Sequence, residues 1–226
     1  MGDVTIYQAP EYHPAFEEYC ETIYELREDD VEVIQARIAE RLEVSRPAVS
    51  EMVHRLTVQG LATVDEGRIH LTDDGKKLAE QVVRRHRLAE RFLTDILELS
   101  WAEAHKEAGK WEHVISDSVE AAISRVLGNP TTCPHGNPIP GTDYVAPEMR
   151  TLSDLEAGDT FVVARVPEEL EFAPGILDYL EQAELLPDRS GTLTVVSPDG
   201  TMTVEVDGRH VGVSSFVSER ILVTTP

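Results

Sequence analysis

Residues 36–50 of the 226-residue chain read ARIAERLEVSRPAVS, which describes two short helices joined by a tight turn. In the second helix, Ser45 stands where an N-cap residue accepts a hydrogen bond, and Pro47 falls in the first turn, where proline is favoured. Apolar residues then recur at helical spacing from Val49 to Leu56, and a glycine follows them. A short helix, a three-residue break and a second helix predict a helix-turn-helix.

The segments on either side complete a winged helix-turn-helix domain over residues 1–73. The sequence LATVDEGRIHLT (61–72) alternates apolar and polar residues around Asp65-Glu66-Gly67, which predicts a β-hairpin wing. Upstream, Pro14 opens a helical run whose apolar residues recur at i, i+3, i+4 and i+7.

The rest of the chain divides into a helical part, a linker and a β-rich part. A long helix from about residue 73 to 97 and two shorter helices predict a helical domain over residues 74–130. Residues 131–149 concentrate proline and glycine, so we expect a linker. Residues 150–226 hold four short alternating strands and one helix, which predicts a small β-barrel.

The charge of the chain argues at first against a nucleic-acid partner. There are 42 acidic and 20 basic residues, for a net charge of -22, whereas phosphate contacts need a basic footprint. The acid is concentrated at the two ends, since residues 1–75 and 131–226 each carry -11 while residues 76–130 carry 0. Residues 37–60 are locally +1 and residues 76–91 locally +4, so DNA binding stays open.

Several protein classes are excluded by composition and pattern. No run approaches the ~18 apolar residues that a membrane helix needs, and the acidic N-terminus has no apolar signal region. Two cysteines make no disulfide framework, so we expect a cytoplasmic protein without membrane contact. No phosphate loop, nucleophile elbow or Ser/His/Asp order supports an enzyme. The scarcity of lysine is typical of a salt-rich cytosol, and a simply well-solvated acidic surface explains it equally.

Histidine and carboxylate groups recur at helical spacing on three predicted helices. Imidazole and carboxylate ligands presented in this way can converge on one divalent cation. A single such residue is most often a solvated one, so the argument depends on the combination. The groups are His86 with Glu90, Glu112 and His113 after His105, and Glu18 with Glu21. Cys133 and His135 in TCPHG fit half of a metal pair or a turn in the linker, and we favour the turn.

Long motifs in the middle of the chain resemble a known family. RRHRLAERFLTDIL (84–97), HKEAGKWEHVISD (105–117) and HGNPIPG (135–141) closely resemble the diphtheria toxin repressor family of metal-dependent transcriptional repressors, whose members respond to iron or manganese. TIYEL (22–26) and the opening stretch match too, so the resemblance covers roughly residues 14–141. The C-terminal part resembles, by pattern, the SH3-like (FeoA-type) domain that ends many members.

The resemblance implies a fold and a mode of action. The fold class is a mostly α N-terminal two-thirds, made of the winged helix-turn-helix and a helical metal-binding and dimerisation domain, followed by a small SH3-like β-barrel. The implied assembly is a homodimer in which bound metal positions the two winged helices on a palindromic operator of double-stranded DNA.

The resemblance also implies two metal sites in each subunit. The ancillary site takes His86, Glu90 and His105, with two further ligands from the barrel that fall on Glu168 and Glu171. The primary, activating site takes Glu18, Gly109, Glu112 and His113, and manganese-responsive members add the position of Glu21 and share that of His86.

Two positions depart from the iron-responsive pattern. Glu18 stands where those members carry methionine, and Gly109 stands where they carry cysteine. Manganese-responsive members use carboxylates at both positions, so Glu18 follows them, whereas Gly109 offers only its backbone carbonyl. Oxygen ligands in place of sulfur suit Mn(II) better than softer metals. We therefore expect Mn(II) or Fe(II) as the cofactor, with Mn(II) favoured.

The DNA contacts of the family also map onto the helix-turn-helix. Arginines neutralise phosphates, serines can bond phosphates or base edges, and a proline can contact a thymine methyl group. The matching positions are Gln35, Ala36, Arg37, Ser45, Arg46, Pro47, Ser50 and Arg55. Glu51 replaces a base-contacting glutamine of the iron-responsive branch, and its carboxylate would prefer a cytosine amino group.

Three functions therefore follow from the sequence. The first is a cytoplasmic, Mn(II)- or Fe(II)-activated dimeric repressor of metal uptake genes. The second is a constitutive winged-helix DNA-binding protein whose metal site is purely structural. The third is a metal-buffering or partner-docking protein without an operator.

Overall fold

The computed structural model describes residues 14–225, and its first half begins with three helices and a hairpin. Their arrangement is a winged helix-turn-helix, which confirms the first prediction. The elements are α1 (Pro14–Glu28), α2 (Gln35–Arg41), α3 (Arg46–Val58), β1 (Ala62–Asp65) and β2 (Arg68–Leu71). The predicted domain also includes residues 1–13, which lie outside the described residues.

Local sequence signals fix the ends of these elements. The Ser45 hydroxyl accepts a hydrogen bond from the Ala48 N–H at 3.4 Å and so caps α3. Gly60 ends that helix with φ +73, a value that glycine adopts without strain. Glu66 and Gly67 both have positive φ at the antiparallel β1–β2 turn, as a tight hairpin requires.

The helical domain contains three helices, whose apolar side chains pack into a second core. They are α4 (Asp73–Asp95), α5 (Trp101–Trp111) and α6 (Asp117–Val126). The Thr72 hydroxyl caps α4, and Ser100 with Glu103 forms a capping box at the start of α5. α4 ends at Asp95, two residues earlier than predicted, and Ile96 beyond it is 48% exposed.

The segment that we expected to be a linker contains a buried turn. Cys133, His135 and Asn137 are each at most 1% exposed, and the backbone C=O of His135 accepts a hydrogen bond from the Val166 N–H at 2.8 Å. Gly136 approaches the backbone of Ala164 so closely that a Cβ atom would lie 2.2 Å from the Ala164 carbonyl oxygen. Proline and glycine here shape a packed turn between two domains.

The C-terminal domain, residues 150–225, is a six-stranded antiparallel sheet with short helices around a third core. The strand order is β3-β8-β4-β5-β6-β7. Its elements are β3 (Arg150–Thr151), a 3-10 turn (Leu152–Asp154), β4 (Thr160–Arg165), α7 (Glu168–Glu171), α8 (Ile176–Gln182), β5 (Ser190–Val196), β6 (Met202–Val206), β7 (Arg209–Val213), α9 (Ser215–Ser218) and β8 (Leu222–Thr224). The sequence had indicated four of these strands; β3 and β8 are too short to alternate visibly.

Across residues 14–225, no helix combines the length and the apolar character needed to cross a membrane.

Candidate metal centre

The candidate metal centre lies where four parts of the chain meet the middle of α4. His86 and Glu90 are one turn apart on α4, and both are buried. α1 approaches them from the DNA-binding domain, α5 from the helical domain, residues 133–137 from the buried turn and α7 from the C-terminal domain. Each of these parts carries acids, histidines or a thiol, so donor groups from all three domains share one place.

The first cluster consists of Glu90, His105, Cys133, His135 and Glu171. The His105 Nδ1 atom lies 2.9 Å from Glu90 Oε1 and 3.2 Å from Glu171 Oε2. The His135 Nδ1 atom lies 2.8 Å from the same Glu171 oxygen. The Cys133 Sγ atom belongs to a set with Glu90 and His135 whose ligand atoms are all within 4.8 Å of one another. Imidazole, carboxylate and thiol groups in this number suit a first-row transition metal.

The second cluster consists of Glu21, His86, Glu112 and His113. The His86 Nδ1 atom lies 2.5 Å from Glu112 Oε2, and its other ring nitrogen faces the first cluster. The His113 Nε2 atom is 3.1 Å from Glu112 Oε1, and its Nδ1 atom is 2.7 Å from Glu17 Oε2. A carboxylate on the second ring nitrogen fixes the orientation of a ligating histidine, and Glu17 lies in that position relative to His113.

Burial and mutual charge shift the acidity of these groups strongly. Burial, followed by the charge of Glu112, raises the pKa of Glu21 well above its ordinary value. Burial would also raise the pKa of Glu90, but His135 and His86 outweigh it and hold that pKa well below its ordinary value. Burial lowers the pKa of His86, but Glu90 and Glu112 outweigh it and raise that pKa well above its ordinary value. Protons on histidines therefore balance the buried carboxylates, and a metal ion would replace them.

Orphaned oxygens test whether the residues suit a cation. Glu21 Oε1, Glu90 Oε2 and Glu168 Oε2 are buried and have no hydrogen-bond partner. An unpaired carboxylate oxygen removed from water is costly, and a divalent cation would satisfy it. The donor set is the mixture of nitrogen, oxygen and sulfur that such cations take, so the residues fit a metal.

Seven of the ten predicted ligands lie in sets of three whose donor atoms are within 4.8 Å of one another. These are Glu21, His86, Glu90, His105, Glu112, Glu168 and Glu171. His113 joins them through Glu112. Glu18 is exposed, and Glu18 and Gly109 both line a cavity of about 620 Å³ that Glu21, His86 and Glu112 also line. Glu168 contacts both the donor groups and Arg87, since one of its oxygens accepts a hydrogen bond from Arg87 at 2.9 Å.

Sequence reasoning missed three members of this centre. The spacing of Cys133 and His135 fitted half of a metal pair, but we favoured a turn from the sequence. In the structure the segment is a turn and also supplies donor groups. Glu17 is buried against His113. Its spacing of four residues from Glu21 places both on one helix face, and that periodicity could have identified it.

The predicted DNA-contacting residues lie on the helix-turn-helix. Gln35 and Ala36 are half-buried, and the exposed ones are Arg37, Ser45, Arg46, Pro47, Ser50, Glu51 and Arg55. Arg37 pairs with Glu40 at 3.0 Å, and the Arg55 guanidinium lies over the Phe16 ring, 4.9 Å from its centroid. Since the Ser45 hydroxyl caps α3, it serves the helix as well as any DNA contact.

Comparison with known proteins gives a consistent family. The N-terminal DNA-binding domain profile of iron-dependent repressors matches residues 12–68, their metal-binding and dimerisation domain profile matches residues 72–141, and the FeoA domain profile matches residues 150–225. The iron-dependent repressor IdeR of Mycobacterium tuberculosis is 41% identical over 206 residues, which cover 86% of this chain and 89% of that protein. The diphtheria toxin repressor of Corynebacterium diphtheriae is 51% identical over 128 residues, covering 56% and 57%.

Solved structures agree with this similarity. A manganese-dependent transcriptional repressor in complex with manganese has a TM-score of 0.83 at 34% identity, covering 93% of this chain and all of that one. The IdeR structure from T. acidophilum has a TM-score of 0.74 at 26% identity, covering 98% and 100%.

The winged helix-turn-helix, the buried donor clusters and the C-terminal FeoA domain define a metal-dependent transcriptional repressor. The chain belongs to the family of iron-dependent repressors that includes the diphtheria toxin repressor. This confirms the family and the fold class that the sequence motifs predicted.

Proposed function

We propose that the chain is a Mn(II)- or Fe(II)-activated dimeric repressor that binds palindromic operators of metal uptake and homeostasis genes. The observation that carries the proposal is the meeting of ligands from different domains on α4. Glu21 comes from the DNA-binding domain, His105 from the helical domain and Glu171 from the C-terminal domain. When bound, a divalent cation supplies positive charge and coordination bonds at this meeting point.

The switch that follows concerns the position of α1. Glu21 on α1 faces Glu112 at the end of α5, and the charge of Glu112 is one of the causes that raise the pKa of Glu21. Two buried carboxylates repel each other unless a cation or a proton lies between them. With that repulsion cancelled, α1 stays against α5 and α4, and the helix-turn-helix that follows α1 is held with it.

The donor atoms support two sites for each subunit. The second cluster, with Glu18 lining the same cavity, offers only oxygen and nitrogen, which favours Mn(II), followed by Fe(II). The first cluster adds the Cys133 thiol, whose pKa burial and Glu90 raise to about 11, so a metal there must displace that proton. A sulfur ligand makes the first cluster the softer of the two sites.

The proposed DNA and dimer contacts belong to different domains. Pro47, Ser50 and Glu51 are exposed on α3 and would enter a major groove. Large apolar side chains are exposed on the helical domain, and we propose that a second copy covers them; they are Ile96, Leu97, Val114 and Val126. We further propose that the chain acts by binding rather than by catalysis, and in the cytoplasm.

A gel-shift titration tests this function. A duplex selected from a random pool in the presence of Mn(II) is titrated with the protein in anaerobic buffer, with Mn(II), Fe(II) or a chelator. We expect tight binding with metal and weak binding with chelator. Equal affinity in all three conditions would refute the metal switch.

A pair of variants, one within α5 and one directly after it, locates the switch. Glu112→Gln removes a buried carboxylate of the second cluster, and Glu107→Gln makes the same change in a residue paired only with Lys110 at the surface. We expect Glu112→Gln alone to lose the metal response. If Glu112→Gln lowers the melting temperature while operator binding by wild type is the same with and without metal, a constitutive DNA-binding protein with a structural metal site is the better description.

A further inference from the structure

Asp29 joins the end of α1 to the C-terminal domain. It follows the last residue of α1, and its side chain is 3% exposed. The Arg165 Nη2 atom donates a hydrogen bond to Asp29 Oδ1 at 2.6 Å, and the Glu169 backbone N–H donates to Asp29 Oδ2 at 3.2 Å. Both donors belong to the C-terminal domain, so two groups of that domain hold one carboxylate of the DNA-binding domain.

Arg165 is fixed at both ends of its guanidinium. Its Nε–H donates a short hydrogen bond to the Asn137 side-chain oxygen, and its Nη2 also donates to Glu28 Oε2 at 3.1 Å. The Asn137 amide in turn donates to Glu171 Oε1 at 2.6 Å. An unbroken polar chain therefore runs from a carboxylate of the first cluster through Asn137 and Arg165 to the end of α1.

A second path runs in parallel through Arg87. This arginine is fully buried on α4, and it donates to Glu168 Oε1 at 2.9 Å and to both oxygens of Glu28 at 3.1 and 2.6 Å. Glu28 therefore receives an arginine from α4 and an arginine from the C-terminal domain. The last turn of α1 is clamped between these two domains by charged groups that require no metal.

The chemistry of this junction favours orientation over stability. A buried ion pair often repays little more than the desolvation of its charges, and burial raises the pKa of Asp29 to about 7 although Arg165 opposes the shift. The planar guanidinium fork does, however, fix the direction and spacing of its partners. Five residues separate Asp29 from Gln35, the first residue of the helix-turn-helix, so the direction of this junction sets where the DNA-reading helices begin.

We propose that Arg165 is a positioning residue for DNA binding, which holds the end of α1, and with it the helix-turn-helix, against the C-terminal domain. The inference rests on the DNA-binding function proposed above and adds a determinant outside the DNA-binding domain. In this arrangement the C-terminal domain does more than supply metal ligands. It sets the geometry of the DNA-binding domain through Asp29, whether or not metal is bound.

The test compares operator affinity among folded variants at saturating Mn(II). The variants are Arg165→Gln, Asp29→Asn, their combination, Arg165→Lys, and Arg189→Gln as the matched control. Arg189 lies in the same domain, 48% exposed, and pairs only with the surface acids Glu184 and Asp207. The duplex is the one selected with Mn(II) above, and every measurement is made well below the melting temperature.

We expect Arg165→Gln to weaken operator binding on the order of tenfold, Arg189→Gln to leave it unchanged, and Arg165→Lys to recover part of the loss. The double variant should lose less than the sum of the two single variants, because the two residues share one contact. Amide hydrogen exchange over residues 26–34 should accelerate in Arg165→Gln with and without Mn(II).

The outcomes separate the two proposals. If Arg165→Gln lowers only the melting temperature while operator affinity and exchange over residues 26–34 match wild type, the positioning role is refuted. If wild type itself selects no duplex, the proposed DNA-binding function fails, whereas the exchange measurement still reports on the junction. If Arg165→Gln does not fold, Asp29→Asn, which retains the size of the side chain, decides by the same two measurements.

Discussion

Replacing Gly109 by cysteine tests whether the second cluster is one ligand short. Gly109 lies one turn after His105 and one turn before His113 on the cavity side of α5, and a Cβ atom built there meets nothing within 4 Å. A cysteine therefore enters without a clash and directs a thiol towards the cavity that Glu21 and Glu112 line. Gly109→Ala makes the same backbone change without a ligand, so it is the matched control.

Two effects of known size add up in this variant. Glycine inside a helix costs about 0.5–1 kcal/mol relative to alanine, so Gly109→Ala should unfold at a temperature about 1–4 °C higher without metal. Gly109→Cys should gain less, because cysteine is a weaker helix former than alanine. The thiolate then adds a coordination bond in Gly109→Cys alone. If that bond contributes about 1.4 kcal/mol, affinity at the second cluster rises about tenfold. The gain should be larger for Fe(II), Co(II) and Zn(II) than for Mn(II), because sulfur is a softer donor.

Calorimetric titration in anaerobic, reducing buffer measures the affinity for each metal, and a thermal melt without metal measures the helix effect separately. Equal affinities of Gly109→Cys and Gly109→Ala for every metal would show that position 109 does not face the bound ion. A rise in melting temperature without a change in metal selectivity would support only the effect of replacing a helical glycine, and would refute the thiolate as a ligand.

Three further predictions follow from other parts of the structure. Arg46→Ala removes an exposed charge at the start of α3, and should weaken DNA binding with about one unit less salt dependence, measured as the slope of log affinity against log salt; an unchanged slope would exclude a phosphate contact. His135→Ala removes a donor of the first cluster, and should reduce the metal bound per subunit from two to one, measured by equilibrium dialysis at a free metal concentration that fills both proposed sites of wild type; two retained ions would contradict His135 as a ligand. The folded-state pKa of Asp29, about 7, lies above its ordinary 3.8, so the folded state binds this proton more tightly and stability falls as pH rises towards 7. Urea unfolding at pH 5 to 8 without metal should show that the free energy of unfolding of Asp29→Asn rises relative to that of wild type by about 1.4 kcal/mol per pH unit up to pH 7. Above pH 7 the difference should stay constant; parallel curves over the whole range would refute the shifted pKa.

The fold was predictable where its signals are local. Ser45 and Pro47 mark a helix start, and Gly67 marks a hairpin, because capping and turn chemistry involve neighbours in the chain. The segment 131–149 shows the limit of such signals. Proline and glycine indicate irregular backbone, but they do not tell whether that backbone is solvated or, as at residues 133–137, buried between domains.

The candidate site was predictable where helix geometry decides it. His86 and Glu90 are four residues apart, and the structure places their side chains 3.2 Å from each other. Contacts between distant segments are different. Asp29 and Arg165 are 136 residues apart, and either would be taken for a solvated surface charge from its sequence neighbours. Only the packing of three domains on α4 brings such pairs together, and no periodicity within a segment contains that information.

The burial of so much acid explains why metal and operator affinity must be coupled. Among the described residues, the buried arginines are Arg87 and Arg165. Around α4, by contrast, seven glutamates are at most 7% exposed, namely Glu17, Glu21, Glu25, Glu90, Glu112, Glu168 and Glu171. Moving the domains apart would hydrate these carboxylates, and binding a cation would neutralise them, so both relieve the same repulsion. A metal ion therefore favours the arrangement in which the domains stay together. By reciprocity, whatever factor metal adds to operator affinity, the operator must add to metal affinity. The acid that seemed to exclude DNA thus supplies the free energy through which DNA and metal are linked.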